Sequence, residues 1–366
     1  MSLVPKHIKE LKPYVAGKSK QEFKRIFGNR ESIKLASNEN PLGCSPKSLQ
    51  RVQAHMSSCN RYPDSSGFEL RMKLADRYDL HMGNVIIGSG SEGIMSNIMR
   101  TFLSEDDKII SAKNSFIGFR VLADASGYHT DWIPMKDYHY DLDAIADQID
   151  DQTKIIYLAN PDNPTGTYFT TKKFDSFMKK VPSRVLIILD EAYYEYTTDL
   201  DDYPDSMVYR YDNIITLRTF SKVYGLAGFR VGYGFAHDDL ISNLMKVKLP
   251  FEPSTLGQEA ALGALDDDEF MRKSINLNAE QKELMYHFLN KNGIRYIKSR
   301  TNFITVVFND KNMNHSFYNS LLENGVIVRG LDAFGLANCS RITIGTKEEN
   351  DIFKETFLKV IERIVV

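Results

Sequence analysis

The stretch Arg184-Val185-Leu186-Ile187-Ile188-Leu189-Asp190 constrains this chain most: it is an apolar run without alternation, closed by an acid. A strand of that composition has to be covered on both faces, which is the condition of a parallel sheet between helices. Short apolar runs recur at 84–88, 108–111, 129–135, 154–159, 214–217 and 229–236, separated by helical stretches. The alternation predicts an α/β fold, with a large domain built on a mostly parallel seven-stranded sheet between helices. After Pro250 and Pro253 the periodicity turns helical through about residue 290, and strands follow at 304–308, 326–329 and 341–344, which predicts a smaller α+β domain. Residues 1–30 read as a short helix and arm packing with the small domain, interrupted by Pro5 and Pro13 and stopped at Gly28-Asn29. The expected division is therefore an arm (1–30), a large domain (31–250) and a small domain (251–366).

A chain of 366 residues with 42% hydrophobic content can bury one large core and a second, smaller one. With 46 basic and 48 acidic side chains there is no electrostatic footprint for nucleic acid or a membrane surface. Cys44, Cys59 and Cys339 are scattered and odd in number, which argues for a reducing compartment, and a cytoplasmic location is expected. No apolar run approaches membrane-spanning length, and the start of the chain turns polar within a few residues, unlike a signal peptide. The eight histidines are dispersed and no Cys or His cluster has ligand spacing, so no metal is expected.

Chemistry concentrates at Thr219-Phe220-Ser221-Lys222, which follows the run at 214–217 and precedes Arg230. Two hydroxyls and a guanidinium form a phosphate-binding group, so the Lys222 amine would lie beside a bound phosphate. Pyridoxal phosphate carries an aldehyde and a phosphate on one small ring, and its binding requires such a convergence of lysine and donors. Taken alone, the cluster also fits a structural Ser-Lys pair at a strand end. Asp190, at the end of a strand buried on both faces, is costly without a cationic partner; a protonated pyridine nitrogen is one, and capping of the next segment is the plainer alternative. Glu191 projects to the other side, so the two acids are a poor acid/base pair. Asn160-Pro161-Asp162-Asn163-Pro164-Thr165-Gly166 turns the run at 155–159 into a rigid loop whose Asn163 amide points beyond the strand end. Gly88-Ser89-Gly90-Ser91-Glu92-Gly93 matches the dinucleotide pattern, but the acid wanted about twenty residues on is replaced by Ser111-Ala112-Lys113. Its glycines still suit a phosphate at a helix N-terminus.

The ordered residues Asn163, Asp190, Tyr193, Lys222 and Arg230 resemble those of the fold-type-I pyridoxal-phosphate aminotransferases. Closer still is the resemblance to the histidinol-phosphate aminotransferases. It rests on Pro13-Tyr14-Val15-Ala16-Gly17-Lys18, Leu35-Ala36-Ser37-Asn38-Glu39-Asn40-Pro41, Arg61-Tyr62-Pro63-Asp64 and Arg341-Ile342-Thr343-Ile344-Gly345-Thr346. The resemblance implies a soluble homodimer that transfers an amino group by a ping-pong route between an amino donor and a 2-oxo acid. Lys222 is then the residue that carries the cofactor and moves the proton, and Asp190 sustains the electron sink. Asn163 and Tyr193 donate to the ring hydroxyl, while the loop of Gly90, Ser91 and Glu92, with Thr219, Ser221 and Arg230, holds the phosphate. Phe116 stacks on the ring, although an aromatic at a strand end is also simply core. Tyr62 reaches the phosphate of the partner subunit, a surface turn being the alternative. Arg341 takes the substrate's carboxylate or phosphate, Arg329 with Tyr14 its distal end, and Asn40 borders the same pocket.

Three departures stand out: Glu92 replaces the usual Asp, Gly93 follows it, and Phe251-Glu252-Pro253 replaces an aromatic, often Tyr, followed by Asn. The substrates implied are L-histidinol phosphate and 2-oxoglutarate, interconverted with imidazole-acetol phosphate and L-glutamate in histidine biosynthesis. An aromatic amino acid aminotransferase and a threonine-phosphate decarboxylase share the framework. A non-catalytic pyridoxal-phosphate-binding regulator would need a DNA-binding domain for which there is no room, and a dinucleotide-dependent oxidoreductase would need the missing acid.

Overall fold

The computed structural model describes residues 3–209 and 211–362, so the outermost residues of the arm and of the C-terminal range lie outside it. A short strand, β1 (Ile33–Lys34), comes first. Seven strands then build one sheet: β2 (Val85–Gly88), β3 (Lys108–Ala112), β4 (His129–Ile133), β5 (Thr153–Ala159), β6 (Leu186–Asp190), β7 (Ile214–Thr219) and β8 (Gly232–Phe235). Their spatial order is β2-β8-β7-β6-β5-β3-β4, and only β8 runs antiparallel to its neighbours. The mostly parallel seven-stranded sheet expected from the sequence is present.

Strand period two divides the core of this sheet. Leu186 and Ile188 of β6 join Ile155, Tyr157, Ile94, Met95, Ile98 and Phe119 on one face. Ile187 and Leu189 join Ile156, Leu158, Ile145, Phe174 and Phe177 on the other. Each face is therefore closed by helices, which is why the run shows no alternation. Burying a Leu or Ile in this way contributes about 1.5–3 kcal/mol relative to exposure.

The C-terminal part holds a four-stranded antiparallel sheet of β9 (Arg295–Ile297), β10 (Phe303–Val307), β12 (Arg329–Gly330) and β13 (Cys339–Thr343), in the order β12-β13-β10-β9. Its core gathers Met285, Leu289, Phe317, Leu321, Phe353 and Phe357 from the helices Asp268–Lys291, Lys311–Glu323 and Lys347–Ile361. β11 (Val326–Ile327) pairs instead with β1, in parallel, with Ile33 opposite Val326. Residues 33–35 thus join the C-terminal core before the chain enters the large sheet, and Leu35 packs with Ile304 and Ile342. The short strands β1 and β9 had no signal of their own, being two and three residues long.

Beneath the sheet's carboxyl edge lies a buried ion pair that apolar periodicity did not reveal. Arg218 of β7 donates through Nε and one terminal nitrogen to Glu191 Oε2 at 2.9 and 2.7 Å, and both side chains are fully buried. The guanidinium also lies 3.4 Å from the Tyr194 ring centre and 5.1 Å from that of Tyr78. Arg218→Ala would leave Glu191 charged and unpaired, so a loss of about 3–5 kcal/mol is expected by urea denaturation. A loss below about 1 kcal/mol contradicts this reading of the pair.

Candidate active site

The carboxyl ends of β5, β6 and β7 and the first turn of the helix Gly90–Phe102 enclose a cavity of about 260 Å³. Open α/β sheets place ligands at this edge, because the loops diverge there and helix N-termini point inward. Lys222, Asp190, Tyr193, Asn163, Phe116, Ser91, Glu92, Thr219, Ser221 and Arg230 all line it, as do Ser37 and Glu39.

Lys222 follows β7 directly. Burial of its amine, then the positive charges of Arg341 and Arg230, lower its pKa to about 8. Its Nζ stands 5.7 Å from the Tyr193 ring centre. Such an amine is available as a nucleophile near neutral pH, unlike an ordinary lysine.

Asp190 ends β6 and is 4% exposed. Burial raises its pKa to about 6, against the hydrogen bonds that favour the anion. Those bonds come from Tyr157 Oη at 2.7 Å and the Ala192 amide at 3.1 Å. Among the described residues no cation forms a salt bridge with it. Lys222 acts on it only through space, and a buried carboxylate on a cavity wall without an ion-pair partner suits a positively charged ligand nitrogen.

Tyr157 was not singled out in the sequence. β5 and β6 pair with Ala159 opposite Asp190, so Tyr157 shares a face with that residue pair, and its ring stacks on Phe119 at 3.9 Å. The available signal was a phenol inside a strand buried on both faces, since a buried hydroxyl requires a partner. Asn38 was likewise quoted in a motif but given no role. Its amide donates to Tyr193 Oη at 2.8 Å, and its backbone N–H donates to Thr343 Oγ1 at 2.9 Å, tying the cavity to β13. Burial pushes the Tyr193 phenol up to about 12, so it stays protonated.

The loop after β5 is held by Asp162, which accepts from Ser115 Oγ at 2.6 Å and Thr165 Oγ1 at 2.8 Å. Gly166 takes φ 77°, and a side chain there would collide with Ser299 at 2.2 Å. The Asn163 side-chain oxygen, Oδ1, accepts from Arg341 of β13. Arg341 also donates to the Ala36 carbonyl at 2.9 Å, and burial lowers its pKa to about 10. It stands opposite Arg329 across the β12–β13 ladder and reaches the cavity wall through Asn163, neither arginine being in the lining itself. Arg329 donates to the Val15 carbonyl at 2.9 Å and to Tyr14 Oη at 3.4 Å, so Arg329 and Tyr14 stand side by side.

At the other end, Thr219 Oγ1 donates to Ser221 Oγ at 3.0 Å and accepts from the Ser221 amide at 3.1 Å. Gly232 permits β8 to pass Ser91, because a Cβ there would come 2.3 Å from the Ser91 nitrogen. Arg230 lies 3.0 Å from Glu92 Oε2.

Beyond the two arginines and Tyr14, Asn40 and Tyr62 also stand outside the cavity lining. The Asn40 amide donates to the Val223 carbonyl and to Ser274 Oγ, both at 2.8 Å, and so links two segments beside a separate small hollow. Tyr62 is 80% exposed and stacks on Phe251 at 4.2 Å, away from the cavity lining.

The family model for aminotransferases of class I and II matches residues 30–357. The histidinol-phosphate aminotransferase of Geobacillus sp. (strain WCH70) is 42% identical over 346 residues, covering 94% of each chain. That of Idiomarina loihiensis is 37% identical over 361 residues and 98% of each chain. Among solved structures, histidinol-phosphate aminotransferase from Sinorhizobium meliloti in complex with pyridoxal-5'-phosphate superposes with a TM-score of 0.91 at 25% identity, over 100% of this chain and 99% of that one. The aspartate aminotransferase of Thermotoga maritima, 18% identical, shares the fold with a TM-score of 0.85 over 98% and 100% of the two chains. Nearly full-length likeness and a lysine-centred cavity at the expected sheet edge agree: the chain belongs to the class I and II aminotransferases and, within them, groups with the histidinol-phosphate aminotransferases.

Proposed function

We propose that this protein is a pyridoxal-phosphate-dependent transaminase that interconverts L-histidinol phosphate and 2-oxoglutarate with imidazole-acetol phosphate and L-glutamate, a step of histidine biosynthesis. The observation that carries the reading is a lysine amine lowered to about 8 in the same cavity as a buried acid raised to about 6. Beside them stand the hydroxyls of Ser91, Thr219 and Ser221 and the Arg230 guanidinium. Amine, acid and anion cradle correspond to the aldehyde, ring nitrogen and phosphate of the cofactor.

When bound, pyridoxal phosphate supplies the electron sink that makes a carbon acid next to nitrogen labile. Lys222 Nζ would provide the amine that holds the aldehyde and would serve as the base that moves the substrate's proton. Asp190, fixed by Tyr157 and Ala192, would keep the ring nitrogen protonated. Tyr193 and Asn163 would donate to the ring hydroxyl, and Phe116 would stack on the ring. Arg341 takes the substrate carboxylate or phosphate, and Arg329 with Tyr14 the distal end, since guanidinium forks suit both anions.

The working form is a homodimer in which Tyr62 completes the phosphate site of the partner subunit. Support comes from the exposed Tyr62–Phe251 stack and from Phe68 and Met56, which are 56% and 60% exposed. We place the protein in the cytoplasm; its three cysteines are free, and no helix among the described residues is long and apolar enough to cross a membrane. We propose the division into an arm (1–30), a large domain (31–250) and a small domain (251–366) on the cores on either side of the large sheet and in the C-terminal part, and on the hold of Arg329 on Val15; at the bounds Leu35 packs with the C-terminal core and the helix Thr255–Leu265 with the large one.

Steady-state glutamate formation from 2-oxoglutarate tests the substrate. We expect kcat/KM for L-histidinol phosphate to exceed that for L-phenylalanine at least about a hundredfold, since buried guanidiniums left without an anion are penalised. A preference for phenylalanine moves the substrate to the aromatic amino acids, and carbon dioxide release without glutamate indicates a decarboxylase.

The lysine pKa also gives a pH prediction. The neutral amine increases as pH rises through about 8, so capture of pyridoxal phosphate by the cofactor-free protein should accelerate between pH 7 and 9 and then level off. Stopped-flow absorbance measures this, and a rate constant flat across that window contradicts it.

A further inference from the structure

The phosphate-holding end of the cavity also contains a carboxylate. Glu92 Oε2 lies 3.0 Å from an Arg230 terminal nitrogen, and the two side chains are 44% and 50% exposed, so the pair spans the cavity mouth rather than the core. Room for it is built into the backbone. A Cβ on Gly118 would stand 2.5 Å from Glu92 Oε1, and one on Gly90 would stand 2.7 Å from the Arg230 nitrogen. Ser91, Thr219 and Ser221 are uncharged, which leaves Arg230 as the cation of this end, Lys222 being the reactive amine.

A guanidinium has donors enough for two acceptors, but two anions on one arginine repel each other. A glutamine would keep the shape and the hydrogen-bond acceptor and remove only the charge. We infer that Glu92 competes with the cofactor phosphate for Arg230, holding the affinity of the site below what its donors alone would give. The inference rests on the proposed cofactor and assigns Glu92 a role opposite to that of the surrounding hydroxyls. Its consequence is an enzyme whose cofactor occupancy responds to the supply of cofactor and of competing phosphate.

The test uses cofactor-free wild type and Glu92→Gln, with dissociation constants measured for pyridoxal phosphate and for pyridoxal, which lacks the phosphate, and inorganic phosphate as competitor. Glu92→Gln should bind pyridoxal phosphate roughly three- to thirtyfold more tightly, be inhibited by lower inorganic phosphate, and bind pyridoxal as wild type does. Unchanged or weaker binding of pyridoxal phosphate would show that Glu92 orients Arg230 for the phosphate, and overturns the inference. Equal tightening for pyridoxal overturns it too, since the effect would then lie away from the phosphate. A wild type that binds neither compound instead removes the proposed cofactor, an outcome distinct from both.

Discussion

Replacing Lys222 with alanine is expected to lower turnover by about 10⁵-fold or more, the scale seen when the central nucleophile or base of an enzyme is removed. The size follows from two roles meeting at one atom. On the proposed reading the Lys222 amine, at about 8, would be both the group that holds the cofactor aldehyde and the base that moves the substrate proton. Tyr193, pushed up to about 12, stays protonated at neutral pH, and Asp190 would be committed to the ring nitrogen, so neither would substitute. The variant should still bind pyridoxal phosphate, more weakly, because Ser91, Thr219, Ser221 and Arg230 are untouched. Rapid-quench measurement of glutamate formation reads the loss. Turnover within tenfold of wild type would remove Lys222 from the chemistry.

Asp190→Asn is expected to lower kcat by roughly 10³-fold while leaving the fold more stable. In the proposed role the carboxylate would stabilise charge on the ring nitrogen at a site removed from water, where electrostatic terms of this kind are typically worth a hundred- to a thousandfold or more. Its cost is equally physical. The folded pKa of about 6 lies above the ordinary carboxylate value, so between about 4 and 6 the native state binds the extra proton. Stability therefore falls as pH rises through that window, and at pH 7 the cofactor-free protein carries a penalty on the order of 2–3 kcal/mol. Cofactor-free Asp190→Asn should melt higher than wild type at pH 7–8, and the difference should vanish near pH 4. An equal melting temperature at every pH, or full activity in the asparagine variant, contradicts the role of the carboxylate.

The fold was legible where a residue's surroundings are periodic. β6 could be read as a strand covered on both faces because Leu186 and Ile188 meet one core and Ile187 and Leu189 the other. Lys222, Asp190 and Asn163 were legible because strand ends in a parallel sheet converge, and all three line one cavity. What could not be read depends on contacts remote in sequence. Arg218 stands among apolar residues, and only the fold brings Glu191 and Tyr194 to it. Tyr157 looks like another strand aromatic until the β5–β6 register sets it beside Asp190. Asn38 and Arg341 meet their partners across 155 and 178 residues of chain. Asn40 carries a motif position, yet its amide is used to hold Val223 and Ser274. Tyr62 is exposed and meets Phe251, a contact across 189 residues that no local pattern announces.

The measurement that tests transamination of histidinol phosphate most directly is the absorbance spectrum of protein loaded with pyridoxal phosphate, taken before and after one equivalent of L-histidinol phosphate, with L-phenylalanine in parallel. The expected result is conversion of the pyridoxal band to that of the pyridoxamine form by histidinol phosphate at concentrations where phenylalanine has little effect, reversed by 2-oxoglutarate. Conversion by phenylalanine alone would contradict the substrate, and a protein that shows no bound pyridoxal band, with Lys222 intact, would contradict the chemistry itself.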